Sequence, residues 1–135
     1  MNKDIYSQAI RKLANIAQGD TGAARVAAQV LLSAHNGSAF QLNIVELGYL
    51  DEAHYKAALI VIRGRIEMKE DPAVFLENGG QVIKELWLQW ERYHVKNRGK
   101  PTCNLCWGIG QIPEYQDDVS NDSMITCSQC RGKGY

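Results

Sequence analysis

The four cysteines of this chain stand in two pairs, Cys103-x2-Cys106 and Cys127-x2-Cys130, and the first 102 residues contain none. Each pair opens the same phrase, Cys-x-x-Cys-x-Gly-x-Gly, written as CNLCWGIG and CSQCRGKG. Two residues between cysteines let both sulfurs reach one ion at about 2.3 Å, and a second pair from a distant loop completes a tetrahedron. The spacing therefore predicts an all-cysteine site for one Zn²⁺ per chain, with Cys103, Cys106, Cys127 and Cys130 as ligands. Four sulfurs saturate such an ion and leave no position for water, so the expected role is structural rather than hydrolytic. Two rival chemistries stay open at this point. A thiol–disulfide pair has the right spacing but lacks a thioredoxin-like βαβ context. An iron–sulfur cluster is also compatible with four cysteines.

The elements that must position these sulfurs follow from their surroundings. Gly108, Gly110, Gly132 and Gly134 let the chain turn behind each pair. The 20 residues between the pairs suit a β-hairpin, with GQIPEY and SMITC as strands and QDDVSND as the loop. A tail this short cannot fold on apolar burial alone, and a metal would supply what the core lacks. The break at KNRGKP separates it from what precedes, giving a helical domain at 1–96 and a finger at 102–135.

The first part reads as helices, so the expected fold is mainly α: a small helical bundle of four or five helices followed by a four-cysteine zinc-binding hairpin. Ile5, Ala9, Leu13 and Ile16 repeat every three or four residues. Asp20 or Thr21 can cap a second helix with Ala23, Val26, Ala27, Val30, Leu31 and Ala34 on its stripe, and Asn36-Gly37 supplies a left-handed stop. Asp51 opens a third, whose face is Tyr55, Ala58, Leu59, Ile62 and Ile66. Asp71-Pro72 opens another, which Asn78-Gly79-Gly80 interrupts. The last stripe is Ile83, Leu86, Trp87, Trp90 and His94, within a helix running to Lys96.

The duplicated Cys-x-x-Cys-x-Gly-x-Gly phrase resembles the zinc-binding module of the DnaJ chaperones, which carry four such phrases for two ions. Two phrases imply one ion here, and the chain has no His-Pro-Asp tripeptide of the J-domain. The tail is most similar to the zinc finger of lambdoid phage late antiterminators, the Q proteins. These also pair two phrases across about twenty residues on a helical protein, the second often ending Gly-x-Gly-Tyr as at residues 132–135. In that family more helical sequence follows the finger, whereas this chain ends at Tyr135. The stretch LANIAQGDTGAARVAAQVLLSAHNG resembles an uncharacterised family of short proteins from proteobacterial mobile elements. These resemblances imply a phage or mobile-element setting and, from the antiterminators, contacts with DNA and RNA polymerase.

Other features are weaker. Arg92, Lys96, Arg98 and Lys100 form a basic strip that could hold phosphates, or simply complement the dipole at a helix C-terminus. From Pro101 onward two cations, Arg131 and Lys133, face four acids, Glu114, Asp117, Asp118 and Asp122, a net of −2. That balance, with zero net charge overall, favours a protein partner over nucleic acid. Trp107 and Ile109 are the expected partner contacts, since Trp concentrates binding energy. His35, His54 and His94 form no metal or catalytic pattern. No P-loop, nucleophile elbow or dinucleotide fingerprint is present, so no enzyme is expected. The N-terminus lacks the apolar stretch of a signal peptide and no run spans a membrane, which makes the cytoplasm the expected compartment. The resulting expectation is a non-catalytic interaction protein that modulates a host protein machine, for example as an inhibitor of a defence complex or an adaptor. A DNA-binding transcription regulator is the alternative.

Overall fold

A computed structural model describes residues 1–108, 110–113 and 124–135. The chain forms two compact units, Met1–Val95 and Lys96–Tyr135. The first holds α1 (Lys3–Ala17), α2 (Gly22–His35), α3 (Glu52–Met68) and α4 (Gly79–Gln89), with short 3-10 segments between and after them. The second is built on a two-stranded antiparallel ribbon, β1 (Gln111–Pro113) and β2 (Met124–Thr126), with Ile112 opposite Ile125. The mainly α architecture with a terminal hairpin is as expected.

Short polar side chains start α1, α2 and α3 by accepting backbone N–H groups that lack a partner within the helix. Asn2 Oδ1 accepts from Asp4, Thr21 Oγ1 from Ala24, and Asp51 Oδ1 from His54. α2 is the central helix. Ala24, Val26, Ala27, Ala28, Val30, Leu31 and Leu32 are all fully buried, more than a single stripe provides. It ends differently from expectation. Asn36 is extended, and its side chain instead accepts N–H bonds from Ser38 and Ala39.

Two other faces are rotated from those the periodicity suggests. On α1 the buried set is Tyr6, Ala9, Ile10, Leu13, Ala14 and Ala17, while Ile5 is exposed. On α3 it is Ala57, Ala58, Val61 and Gly64, while Tyr55, Leu59 and Ile66 face solvent. The cause is close packing: small residues let α1, α2 and α3 approach, Ile60, Ile62 and Met68 pack at the margin of the core, and Tyr55, Leu59 and Ile66 are left outside. Asp71-Pro72 opens only the 3-10 turn Pro72–Phe75, and Asn78-Gly79-Gly80 begins α4 rather than breaking a helix. α4 stops at Gln89, and the 3-10 turns Glu91–Tyr93 and Val95–Asn97 follow in place of further helix. Trp90 turns inward there, its indole N–H donating to Ala17 O at 3.1 Å. His94 joins Phe40 and Trp87 in an edge-to-face aromatic cluster.

Tyr6 is the largest of the fully buried side chains, and its hydroxyl donates to Glu70 O at 2.9 Å. Burial pushes this hydroxyl up to about 12, against the opposing pull of Arg65. Folding therefore favours its protonated form. That contribution is complete below an ordinary tyrosine value near 10 and fades as pH rises through the folded value, a loss of about 2 kcal/mol. Tyr6→Phe is expected to remove this alkaline dependence and to cost about 1 kcal/mol at neutral pH, because Glu70 O loses its donor. Denaturant midpoints of both proteins between about pH 8 and 12 check it. Equal pH slopes would rule out Tyr6 as the source.

Candidate metal centre

The two cysteine phrases fold into two matching knuckles related by an offset of 24 residues. In each, the residue after the second cysteine and both following glycines have positive φ. The values are 54°, 86° and 83° at Trp107, Gly108 and Gly110, and 56°, 83° and 87° at Arg131, Gly132 and Gly134. The knuckles clasp each other through reciprocal backbone bonds. Cys103 N–H donates to Gly134 O, and Cys127 N–H donates to Gly110 O, both at 2.9 Å. Gly110 is required twice over. Its φ suits glycine, and a Cβ there would lie 2.5 Å from Gly132 O.

This backbone brings the four sulfurs to within 4.8 Å of one another. Cys103 Sγ lies 3.8 Å from Cys127 Sγ, and Cys106 Sγ lies 3.6 Å from Cys130 Sγ. A tetrahedron of thiolates at 2.3 Å from a central ion has edges of about 3.8 Å. All four cysteines are buried, with Ile112 packed beside them. The geometry and donor set fit one thiophilic metal ion.

The electrostatics agree with that fit. Gly110 N–H donates to Cys106 Sγ and Gly134 N–H to Cys130 Sγ, each at 3.2 Å, an arrangement that favours thiolate. For Cys130, burial opposes ionisation, but the Gly134 N–H and the surrounding thiols outweigh it and bring the group down to about 6. For Cys127, the Cys130 N–H favours thiolate, yet burial and the side-chain bonds to Cys130 and Cys103 win and push it up to about 11. Four adjacent thiolates repel one another, and a divalent cation among them removes that penalty.

The other expected contacts fall in different places. Trp107 is 79% exposed. Ile109 and the whole acidic loop, with Glu114, Asp117, Asp118 and Asp122, lie outside the described residues. The basic strip is divided. Arg92 belongs to the helical unit, where its guanidinium donates to Tyr93 Oη at 2.7 Å and lies over that ring. Lys96, Arg98 and Lys100 belong to the cysteine unit, where Lys100 Nζ sits 4.8 Å above the Tyr135 ring. The last turn of α4 carries no basic residue, so these cations do not complement its dipole. Sequence reasoning missed the contact of His35 Nδ1 with Asp71 Oδ2 at 2.7 Å, which ties the end of α2 to the start of the Pro72–Phe75 turn. Asp71 was legible only as a cap, because the pairing spans 36 residues.

No helix among the described residues is long and apolar enough to cross a membrane. No curated protein and no solved structure matches the chain. A family model does match, over residues 7–91, which includes most of the helical unit and none of the cysteines. On that match, covering more than half its length, the chain belongs to a family of unknown function, DUF7673.

Proposed function

We propose that this is a non-catalytic zinc-binding interaction protein of phage or mobile-element origin that binds a host machine and modulates it. The observation carrying this reading is the closed centre. Four buried sulfurs supply all four positions of a tetrahedral ion, and reciprocal backbone bonds lock the two knuckles around it. Such an ion holds a shape and has no site at which to activate water. Zinc fits the four-thiolate donor set better than hard cations, which take oxygen ligands. The likeness of both phrases to DnaJ-type modules and to phage antiterminator fingers supports zinc and the proposed setting. Native mass spectrometry is expected to find one zinc per chain. Zero or two ions, or an iron–sulfur chromophore, would overturn the assignment. Affinity capture from host lysate should retain a specific partner with the wild type and lose it with a chelated protein.

A second reading is a transcription regulator of the antiterminator kind. It is favoured by the placement of Lys96, Arg98 and Lys100 in the cysteine unit. A count from Pro101 leaves these three cations out and makes the finger look acidic.

A further inference from the structure

An open groove of about 620 Å³ runs along the helical unit between α1 and α3. Its floor is made of small residues, Ala9, Ala53 and Ala57, with Ile5 and Ile60 at one end. The two helices are antiparallel. Tyr6 lies against Gly64, Lys3 Nζ sits 3.6 Å from Glu70 Oε1, and Lys12 is near enough to Asp51 for their charges to interact. Ile5 is therefore level with the Ile60 end of the groove, and Lys12 is level with the start of α3. That second end is charged and balanced: Lys12 and Lys56 stand beside Asp51 and Glu52. Lys56 pairs with Glu52 at 3.0 Å, while Lys12 makes no hydrogen bond or ion pair among the described residues. At the apolar end Ile5 is left 48% exposed.

We infer that this groove is the interface of a homodimer. A second copy lays its own α1 and α3 against it, about a two-fold axis parallel to the helices. The charges select this occupant. A partner of one sign would set like charge against either the two lysines or the two acids. A second copy brings the same balanced set, and the two-fold makes that set complementary to itself. Lys12 then meets Glu52 of the partner subunit, so the cation without a partner gains one, and Ile5 meets Ile60 of the partner subunit. A two-fold perpendicular to the helices would instead lay the charged end over isoleucines and leave Lys12 unpaired. The chosen axis also sets α1 beside the α3 of the second copy, so every neighbouring pair runs antiparallel, as in up-and-down four-helix bundles. A small ligand fits the groove less well, because ligand sites enclose most of their ligand and this groove is open along its length. The contact covers about two turns of each helix, which places it among small, transient interfaces, with a dissociation constant of roughly 10–500 μM. The inference goes beyond the zinc reading and uses no residue of the cysteine unit.

The test is analytical ultracentrifugation of the full-length, zinc-loaded chain from about 5 μM to about 1 mM, where a monomer–dimer equilibrium is expected. Ala53→Arg, at an exposed position on the groove floor, should raise the dissociation constant about 30-fold or more with the helical signal unchanged. Lys12→Glu and Glu52→Lys should each weaken self-association about 3- to 30-fold, since the two-fold counts each change twice. Mixing these two variants isolates the contact between copies. In the mixed dimer both contacts between positions 12 and 52 regain opposite signs, so affinity should return close to that of the wild type. An effect within one chain does not produce that recovery. Chelated protein should dimerise as the zinc-loaded chain does, which keeps this result separate from the zinc assignment. Dimers lost on chelation would place the interface in the cysteine unit and overturn the inference. A wild type still monomeric at about 1 mM overturns it. So does a dimer indifferent to Ala53→Arg, or a pair of charge variants that do not associate when mixed. A monomeric wild type that captures a different protein, and loses it with Ala53→Arg, makes the groove a site for that protein instead.

Discussion

Cys106→Ser is expected to unfold the unit Lys96–Tyr135 while leaving the far-UV helical signal of Met1–Val95 largely intact. Among the described residues the cysteine unit has almost no apolar core: its buried cluster is the four cysteines with Ile112 against them. A unit of this size depends on cross-links or metal, and structural zinc contributes about 10 kcal/mol or more of apparent free energy at neutral pH. Removing one sulfur also removes the acceptor of the Gly110 N–H and opens the clasp that aligns Gly110 O with Cys127. The loss therefore far exceeds any residual stability of a three-residue ribbon. Circular dichroism and limited proteolysis report it directly, with cleavage sites confined to residues 96–135. A chelator should give the same pattern in the wild type, reversed by added zinc. Collapse of the whole helical signal would show that the two units fold as one and would refute this division of stability.

The site was largely legible because its information is local. A Cys-x-x-Cys pair followed by Gly-x-Gly fixes a knuckle within eight residues, and its duplication implies its partner. What the pattern does not carry is the reciprocal bonding. That Gly110 O meets Cys127 and Gly134 O meets Cys103 depends on how two distant segments face each other. The placing of the basic strip was not legible for a similar reason. The periodicity carried a helix to Lys96, which would set Arg92 and Lys96 one turn apart on one face. The chain instead leaves the helix at Gln89, where Trp90 turns inward to Ala17 O.

The fold was legible in its elements and less so in its faces. Thr21 and Asp51 act as caps because a short side-chain oxygen and an unpaired N–H are neighbours in sequence. Face assignment fails where size matters more than apolarity. The pattern on α3 pointed to Tyr55, Ala58, Leu59, Ile62 and Ile66; Ala58 is buried and Ile62 packs against the core, but Tyr55, Leu59 and Ile66 are exposed, and the buried side is Ala57, Ala58, Val61 and Gly64. Periodicity ranks residues by their own transfer energy, and it does not register that a close helix crossing selects the smallest ones. Tyr6 escaped for the complementary reason. Its hydroxyl is satisfied by Glu70 O, 64 residues away, which lets a polar ring occupy the centre of the bundle.

Gly64→Ala is expected to destabilise the helical unit by about 1–3 kcal/mol, although alanine is the better helix former. A Cβ at position 64 would collide with Tyr6 Cδ1 and lie 2.7 Å from Cε1. The ring cannot yield easily. It is fully buried, its hydroxyl is fixed on Glu70 O, and its edge contacts Phe75 at a centroid distance of 5.0 Å. Either α1 and α3 must separate or Tyr6 must leave its hydrogen bond, and both cost more than the roughly 1 kcal/mol gained in helix propensity. For a domain of this size the melting temperature should fall by roughly 5–15 °C. Gly80→Ala, in α4 with nothing within 4 Å of the new methyl, should shift the other way by a smaller amount. A double-mutant cycle isolates the cause. With Tyr6→Ala already in place, the methyl at position 64 has room, and Gly64→Ala should change sign and stabilise that background by up to about 1 kcal/mol. If Gly64→Ala stabilises the wild type as well, the crossing of α1 and α3 is looser than the Tyr6 contact requires, and the close packing of small residues does not set the buried face of α3.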